Sequence, residues 1–211
     1  MVTKKKILIT AGPTWVAIDQ VRVISNLATG ETGILLADEF RKLGAKVTLL
    51  LGAGNYPGTQ AGITIKRFKY FSELAWLLNS ELKKVKYAAV IHAAAVADYQ
   101  PRKIINRKIS SHLKSWKINL VPTQKLIQGL RAYRPGLFTV GFKFQPNAGK
   151  VELIEKGNRL LKKEGLNLVV ANSSKNKGYQ AYILDGRNQF GPFPKKRKMA
   201  FYLARLIAKQ L

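Results

Sequence analysis

The chain has 211 residues, of which 46% are hydrophobic, and it contains no cysteine. Lys and Arg number 37 against 11 Asp and Glu, so the formal net charge is +26. This composition suits a folded α/β domain, excludes disulfides, thiolate metal sites and cysteine nucleophiles, and predicts attraction to anionic partners. No apolar run is long enough to span a membrane and no signal-peptide pattern opens the chain, so we expect a cytoplasmic protein without membrane association.

The first half alternates between strand and helix patterns. Short apolar runs predict strands, and apolar residues at helical spacing predict helices. The helix at 30–43 ends at Gly44, and Ser72 is the predicted N-cap of the next helix. The predicted elements are strand 5–11, helix 30–43, strand 46–51, a Gly/Pro-rich loop at 52–62, strand 63–68, helix 72–84 and strand 88–92. Such alternation predicts an α/β fold, a Rossmann-like three-layer sandwich with a mainly parallel sheet.

The second half opens with a basic segment, at about 99–115, that has no helical pattern. We call it the arm, and predict that it is an added flap beside the sheet. Because no linker or repeat divides the chain, residues 1–211 are predicted to form a single domain. The predicted elements that follow are strand 116–121, a short helix at 124–132, strand 138–144, helix 150–163, strand 166–171, a hairpin formed by 179–184 and 188–193, and a C-terminal helix at 195–211.

Two segments that follow predicted strands, residues 9–30 and 92–99, contain small residues that allow close approach of a ligand to the backbone. Open α/β sheets bind ligands at the carboxyl ends of their strands. A helix that begins near Gly30 would add free N–H groups for an anion. Neither a Gly-x-Gly-x-x-Gly fingerprint nor a Walker loop is present, and Gly12-Pro13-Thr14 alone is a turn. The combination predicts an anion or nucleotide site.

Single polar residues are weaker signals. Asp98 alone is typical of a turn or cap, and Lys108 on the arm is typical either of a solvated face or of a lysine that closes over phosphates. His92 and His112 are the only histidines and lack metal-ligand spacing. We expect His92 to be a packed or hydrogen-bonded core residue, and the metal ligands stay unknown.

Taken together, the motifs resemble the phosphopantothenoylcysteine synthetases, which are phosphopantothenate–cysteine ligases. Their order and spacing run through most of the chain. The segments that carry the resemblance are 10–14, 18–26, 94–99, 108–111, 140–142 and 169–172.

The resemblance implies a ligase of coenzyme A biosynthesis that acts as a homodimer. It would join 4'-phosphopantothenate to L-cysteine through an acyl-nucleotide, from CTP rather than ATP, with Mg²⁺ on the triphosphate. The flavin-binding decarboxylase domain fused in many bacterial members is not in this sequence. We therefore expect no FMN on this chain and a separate phosphopantothenoylcysteine decarboxylase.

The resemblance also implies roles for individual residues. Asn26 and Lys108 would be catalytic: Asn26 would hold the carbonyl of the acyl-nucleotide and Lys108 would contact the triphosphate. Substrate contacts would come from Gly12, Thr14 and Arg22, with Arg22 acting across the dimer interface. The implied nucleotide contacts are His92, Ala93, Ala94, Asp98, Lys108, Gln124, Lys125, Leu126, Ile127, Phe142 and Lys163.

The sequence departs from the family pattern at several points. Pro13 replaces a glycine, and Ala28-Thr29-Gly30 replaces Ser-Ser-Gly. Two family lysines fall on Leu160 and Glu164, which leaves Lys162 or Lys163 as substitutes.

Two other functions remain open. A short-chain-type NAD(P) oxidoreductase would explain the early glycine and the parallel sheet, although the dinucleotide fingerprint is absent. A basic RNA-binding protein would explain the charge, but no recognition motif is present, so specific nucleic-acid binding is not expected.

Overall fold

A computed structural model describes residues 2–54, 56, 61–175 and 178–211, with residue 175 described by its backbone alone. The predicted loop at 52–62 lies partly outside the described residues. No helix within the described part of the chain is long and apolar enough to cross a membrane.

Within the described residues, an eight-stranded sheet forms the centre of the molecule. Its strands are β1 (Lys6–Ala11), β4 (Lys46–Leu51), β5 (Ile63–Arg67), β6 (Ala89–His92), β9 (Phe138–Phe144), β10 (Leu168–Lys175), β11 (Gly178–Leu184) and β12 (Gln189–Phe193). They lie in the order β12-β11-β10-β9-β6-β1-β4-β5. The strands from β10 to β5 in this order are mutually parallel, whereas β11 and β12 add as antiparallel neighbours. The predicted α/β class with a mainly parallel sheet is confirmed.

In the part of the chain that the structure describes, four α-helices cover the two faces of the sheet: α1 (Glu31–Lys42), α2 (Phe71–Lys84), α3 (Lys150–Glu164) and α4 (Lys196–Gln210). Alternate residues of each strand point to opposite faces. Accordingly, Ile7 and Ile9 pack in one core with α1 and α4, and Leu8 packs in a second core with α2. A third cluster packs α3 on β10 and β11. The sheet with helices packed on each of its faces matches the predicted three-layer sandwich.

Among the described residues, two short hairpins lie outside the central sheet. β2 (Trp15–Ala17) pairs with β3 (Val23–Ser25), and β7 (Tyr99–Pro101) pairs with β8 (Leu120–Pro122), both antiparallel. The β2–β3 hairpin was not predicted, because strands of three residues leave too little pattern to detect. The predicted strand at 116–121 is wrong for most of its length, since only its last two residues belong to a strand, β8.

Two helix predictions need correction. The predicted helix at 124–132 is wrong: the chain turns at 126–129 and forms only a 3₁₀ helix at Leu130–Tyr133. Gly129, with φ of +80°, separates the turn from that helix, while Leu126 and Ile127 still pack on the α2 core. Ser72 is not the N-cap of α2, because Tyr70 holds that position and its backbone N–H donates to Glu73.

The strand order reverses direction around β1. After β1, the chain adds β4 and then β5 on one side of β1. It then crosses back, and β6 pairs with the other side of β1. In open α/β sheets, the crevice at such a switch point is where ligands bind. The fold therefore places the expected site between the carboxyl ends of β1 and β6.

Candidate functional site

The segments that follow β1 and β6 lie side by side and continue the pairing of the two strands. Ala93 N donates to Thr10 O (3.1 Å), and Ala95 N donates to Gly12 O (2.9 Å). Thr14 N then donates to Ala95 O (3.3 Å). The structure thus brings together the two segments that the sequence predicts to form one site.

Glycines allow helix α1 to begin beside the end of β1. Gly12 and Gly30 have φ values of +82° and +69°, where glycine is favoured. A Cβ on Gly33 would lie 2.3 Å from Cβ of Ala11, so only glycine fits there. The first turn of α1 therefore faces the crevice with its free N–H groups and positive dipole, as an anion site requires.

A cleft of about 1170 Å³ opens at this point. Twelve of the predicted site residues line it: Gly12, Asn26, His92, Ala93, Ala94, Asp98, Gln124, Lys125, Leu126, Ile127, Phe142 and Lys163. They come from five separate parts of the chain, so their assembly is a tertiary result. The cleft is large enough for a nucleotide together with a second small substrate.

Asn26 joins the two loops of the cleft. Its Nδ2 donates to Ala95 O (3.1 Å) and to Val96 O (3.0 Å). A side-chain amide has two N–H donors, so both are engaged and Oδ1 is the atom left to interact with a ligand. Holding an acyl carbonyl, as predicted for Asn26, requires one of these N–H groups to be released.

Three predicted residues do not line this cleft: Thr14, Arg22 and Lys108. Thr14 is buried, and its Oγ1 accepts a hydrogen bond from Ala97 N (2.9 Å), so its side chain supports the loop after β6. Arg22 lies against the arm, and Lys108 is exposed on it. Within one chain, therefore, the arm and Arg22 stand apart from the cleft.

His92 is a buried, neutral residue. Its Nδ1 lies 3.0 Å from Thr10 Oγ1, which also accepts a hydrogen bond from Ala94 N (3.2 Å). Since the Thr10 hydroxyl accepts from Ala94, its own hydrogen can be donated to Nδ1. Burial lowers the pKa of His92 to about 4, so the ring carries no charge near neutral pH. The expectation of a hydrogen-bonded core histidine is confirmed.

The turn that follows β8 is fastened to the loop after β6. Thr123 N donates to Asp98 O (2.9 Å), and Thr123 Oγ1 donates to Ala97 O (2.6 Å). An ion pair between Lys125 and Asp98 closes the same side of the cleft. These contacts carry residues 124–127 to the cleft as a turn rather than as a helix.

Four basic residues of the cleft were missed in the sequence. Two of them, Lys156 and Arg159, lie on one stripe of α3 with the predicted Lys163, and the other two, Lys143 and Lys196, come from β9 and α4. Their spacing of three and four along a helix was the available signal.

Acidic residues neutralise only some of these cations. Lys156 pairs with Glu152 (2.7 Å), and Lys196 pairs with Glu31 (2.6 Å). Within the described part of the chain, Lys143, Arg159 and Lys163 have no acidic partner. The wall formed by α3 and β9 therefore presents unneutralised positive charge to a ligand.

The described residues contain no group of three or more His, Asp or Glu side chains that could hold a metal ion. Glu31, Asp98 and Glu164 line the cleft at separate positions. Mg²⁺ typically binds one or two carboxylates together with substrate phosphates, and this arrangement fits a metal that arrives with a nucleotide.

One known protein family matches almost the whole chain. Residues 2–210 match the family described as the DNA/pantothenate metabolism flavoprotein C-terminal domain. The chain belongs to this family. It is 34% identical over 212 residues to the coenzyme A biosynthesis bifunctional protein CoaBC of Thermococcus kodakarensis, a match that covers 98% of this chain and 52% of that protein. The chain thus spans about half the length of the curated relatives it matches.

Solved structures of low sequence identity share the fold. The DNA/pantothenate metabolism flavoprotein from Streptococcus pneumoniae has a TM-score of 0.87 at 23% identity, with 98% of this chain and 100% of that chain covered. A mutant of Cab2, H337A, in complex with phosphopantothenate-cysteine has a TM-score of 0.79 at 17% identity, with 98% of this chain and 87% of that chain covered.

Proposed function

We propose that this chain is a phosphopantothenate–cysteine ligase of coenzyme A biosynthesis. The observation that carries the proposal is the cleft between β1 and β6, which gathers both motif segments of a family member in one place. The names of the relatives support the pathway, and a structural neighbour binds phosphopantothenate-cysteine. CTP is the proposed co-substrate, with ATP as the alternative.

The proposed reaction has two steps. A carboxylate oxygen of 4'-phosphopantothenate attacks the α-phosphorus of the triphosphate, and the bond to pyrophosphate breaks. The amine of L-cysteine then attacks the acyl carbon and loses a proton, while the nucleoside monophosphate leaves. Neither step needs a side-chain nucleophile, and this agrees with a chain that lacks cysteine.

Charge is the main obstacle to the first step, because a carboxylate must approach a triphosphate. The N–H groups at the start of α1 and the unpaired cations Lys143, Arg159 and Lys163 would offset that repulsion. Mg²⁺ bound to the phosphates would add positive charge at the same place. The cleft holds the reacting groups together, which removes much of the entropy cost of their meeting.

Asn26 is proposed to act at the acyl-nucleotide stage. In the present conformation it holds the loops of β1 and β6 together, so it fixes the backbone groups that face the intermediate. His92, because it is buried and neutral, would contribute through the backbone of its strand end rather than as a base.

A homodimer is proposed because apolar side chains are exposed on the two hairpins and the arm. Val21 is 62% exposed, Tyr99 56%, Ile104 53% and Leu113 54%. The arm and the β2–β3 hairpin are in contact, since Ile105 N donates to Ile18 O, and exposed apolar side chains on segments in contact indicate an interaction surface. We propose that a second copy covers this surface and that Arg22 and Lys108 act at the cleft of that copy, because neither residue lines the cleft of its own chain. Light scattering of the wild type and of Val21→Asp with Ile104→Asp tests this: we expect a dimer and a monomer, respectively.

The activity is tested by pyrophosphate release with phosphopantothenate, L-cysteine, Mg²⁺ and either CTP or ATP. We expect release that depends on phosphopantothenate and continues only when cysteine is present, because cysteine discharges the acyl-nucleotide. Omission of cysteine should leave a single burst. If no pyrophosphate is released with either CTP or ATP, the ligase activity is refuted.

A further inference from the structure

A buried carboxylate lies at the junction of the β2–β3 hairpin and the arm. The side chain of Asp19 has no exposed surface. Its Oδ1 accepts hydrogen bonds from Val21 N (2.9 Å) and Arg22 N (2.8 Å), and its Oδ2 accepts from Arg22 Nη1 (2.6 Å) and Ile109 N (3.2 Å). Asp19 therefore binds the hairpin turn and the arm at the same time.

Arg22 completes this contact at the carbonyl of the same residue. Its Nη1 and Nη2 donate to Ile109 O at 3.2 and 3.3 Å, and its guanidinium lies over the ring of Trp116 at 5.4 Å. Asp19 and Arg22 thus hold both the N–H and the carbonyl of Ile109. Because Ile109 directly follows Lys108, this fixes the backbone of the arm at the lysine.

The rest of the arm is weakly held. Between β7 and β8 it forms no helix or strand, and most of its side chains are exposed. Ile105 N donates to Ile18 O (3.2 Å), which adds one backbone contact with the hairpin. The position of the arm therefore depends on a few polar contacts, and Asp19 takes part in the strongest group of them.

The negative charge of Asp19 lies between the cations of the arm and Arg22. Lys103, Arg107 and Lys108 on the arm carry the same charge as Arg22, so the arm and the hairpin repel each other. Burial raises the pKa of Asp19, but the hydrogen bonds from Val21, Ile109 and Arg22 outweigh burial and keep the pKa below its usual value. An ionised Asp19 offsets the repulsion where arm and hairpin meet.

We infer that Asp19 is a positioning residue that sets the place of the arm, and with it Lys108 and the guanidinium of Arg22, for the proposed ligase reaction. The inference rests on the proposed function, because it assigns Lys108 and Arg22 to the anionic substrates. Asp19 itself touches neither substrate. Arg22 keeps unengaged N–H donors with which to bind an anion.

The test compares Asp19→Asn with Asp185→Asn. Asp185 is a matched control, because it accepts similar turn hydrogen bonds from Arg187 N (2.8 Å) and Asn188 N (2.6 Å) but lies in the β11–β12 hairpin, away from the arm. Asn keeps the shape of Asp but puts an NH₂ group against donors and removes the charge. Two readouts are used: tryptic cleavage after Lys108, and steady-state kinetics with CTP, phosphopantothenate and cysteine.

We expect Asp19→Asn to be cleaved after Lys108 several times faster than the wild type, since the Ile109 peptide is released. The KM for CTP should rise about tenfold with a smaller change in kcat, because the cation on the arm no longer meets the triphosphate. Asp185→Asn should match the wild type in both measurements.

Unchanged cleavage in a folded Asp19→Asn protein would overturn the inference, and so would faster cleavage with unchanged KM for CTP. If Asp19→Asn does not fold, Asp19→Ser decides: its hydroxyl can still accept a turn hydrogen bond, but it has no charge and no second oxygen for Ile109 N, so faster cleavage supports the inference and wild-type cleavage overturns it. A wild-type enzyme inactive with both nucleotides refutes the ligase proposal and the catalytic part of this inference. The cleavage rates then still report whether Asp19 anchors the arm.

Discussion

The cleft at the ends of β1 and β6 and the arm at 99–115 are held in place by different interactions. The cleft loops continue a sheet whose strands are buried on both faces, and backbone hydrogen bonds join them directly. The arm has no core beneath it and is held by Asp19, Arg22 and single backbone bonds. Changes beneath the cleft should therefore affect stability, whereas changes around the arm should affect activity at nearly constant stability.

The largest expected effect is on the close contact that supports the cleft. Gly33→Val would force a side chain into Ala11, whose Cβ lies 2.3 Å from the position of the new Cβ. We expect a loss of about 3 kcal/mol in the free energy of unfolding, measured by urea denaturation. Gly149→Ala, which meets no atom within 4 Å, should lose less than about 1 kcal/mol. Equal losses in the two variants would mean that the contact is not tight.

Asn26→Ala separates activity from stability within the cleft. The side chain is exposed, so the melting temperature should hardly change, but the two loops lose their bridge. We expect product formation to fall about 100-fold or more. Asn79→Ala, which removes an asparagine that accepts a hydrogen bond from Tyr133 (2.9 Å) on the outside of the fold, is the control. Unchanged turnover of Asn26→Ala removes this residue from its proposed role.

The buried histidine makes the stability of the cleft depend on pH. The pKa of His92 falls from 6.5 to about 4 on folding, so the unfolded chain binds the proton first as the pH decreases. This contribution is complete above pH 6.5 and is lost as the pH falls toward 4; by pH 5 the loss is about 2 kcal/mol. Urea denaturation at pH 7 and 5 measures it. His92→Gln should reduce the pH dependence by this amount, and an unchanged pH dependence in this variant would contradict the assignment to His92.

The smallest expected effect concerns the cationic wall of the cleft. Lys163→Ala should raise the KM for the nucleotide about tenfold, because Lys163 lines the cleft without an acidic partner. Lys83→Ala, in the last turn of α2, is the control in a similar helical position. Lys162→Ala distinguishes the two candidate lysines, since Lys162 does not line the cleft and should have the smaller effect.

Most of the fold was predictable because buried strands leave a strong local signal. The runs that became β1, β4 and β6 are mostly apolar on both faces, β9 alternates phenylalanine and valine with other residues, and glycines such as Gly44 mark the ends of helices. The same reasoning failed at 124–132, where Leu126, Ile127 and Leu130 suit a helix but are buried through a turn that Thr123 fastens to Ala97.

The sequence by itself determined the α/β class, the parallel sheet and the two loops that meet at the cleft, because periodicity and glycine placement act over a few residues. Only the tertiary structure decided which polar groups meet there. The bridge formed by Asn26 to Ala95 and Val96 and the hydrogen bond between Asp19 and Ile109 each join segments far apart in the chain, and a local pattern carries no record of such distant pairs.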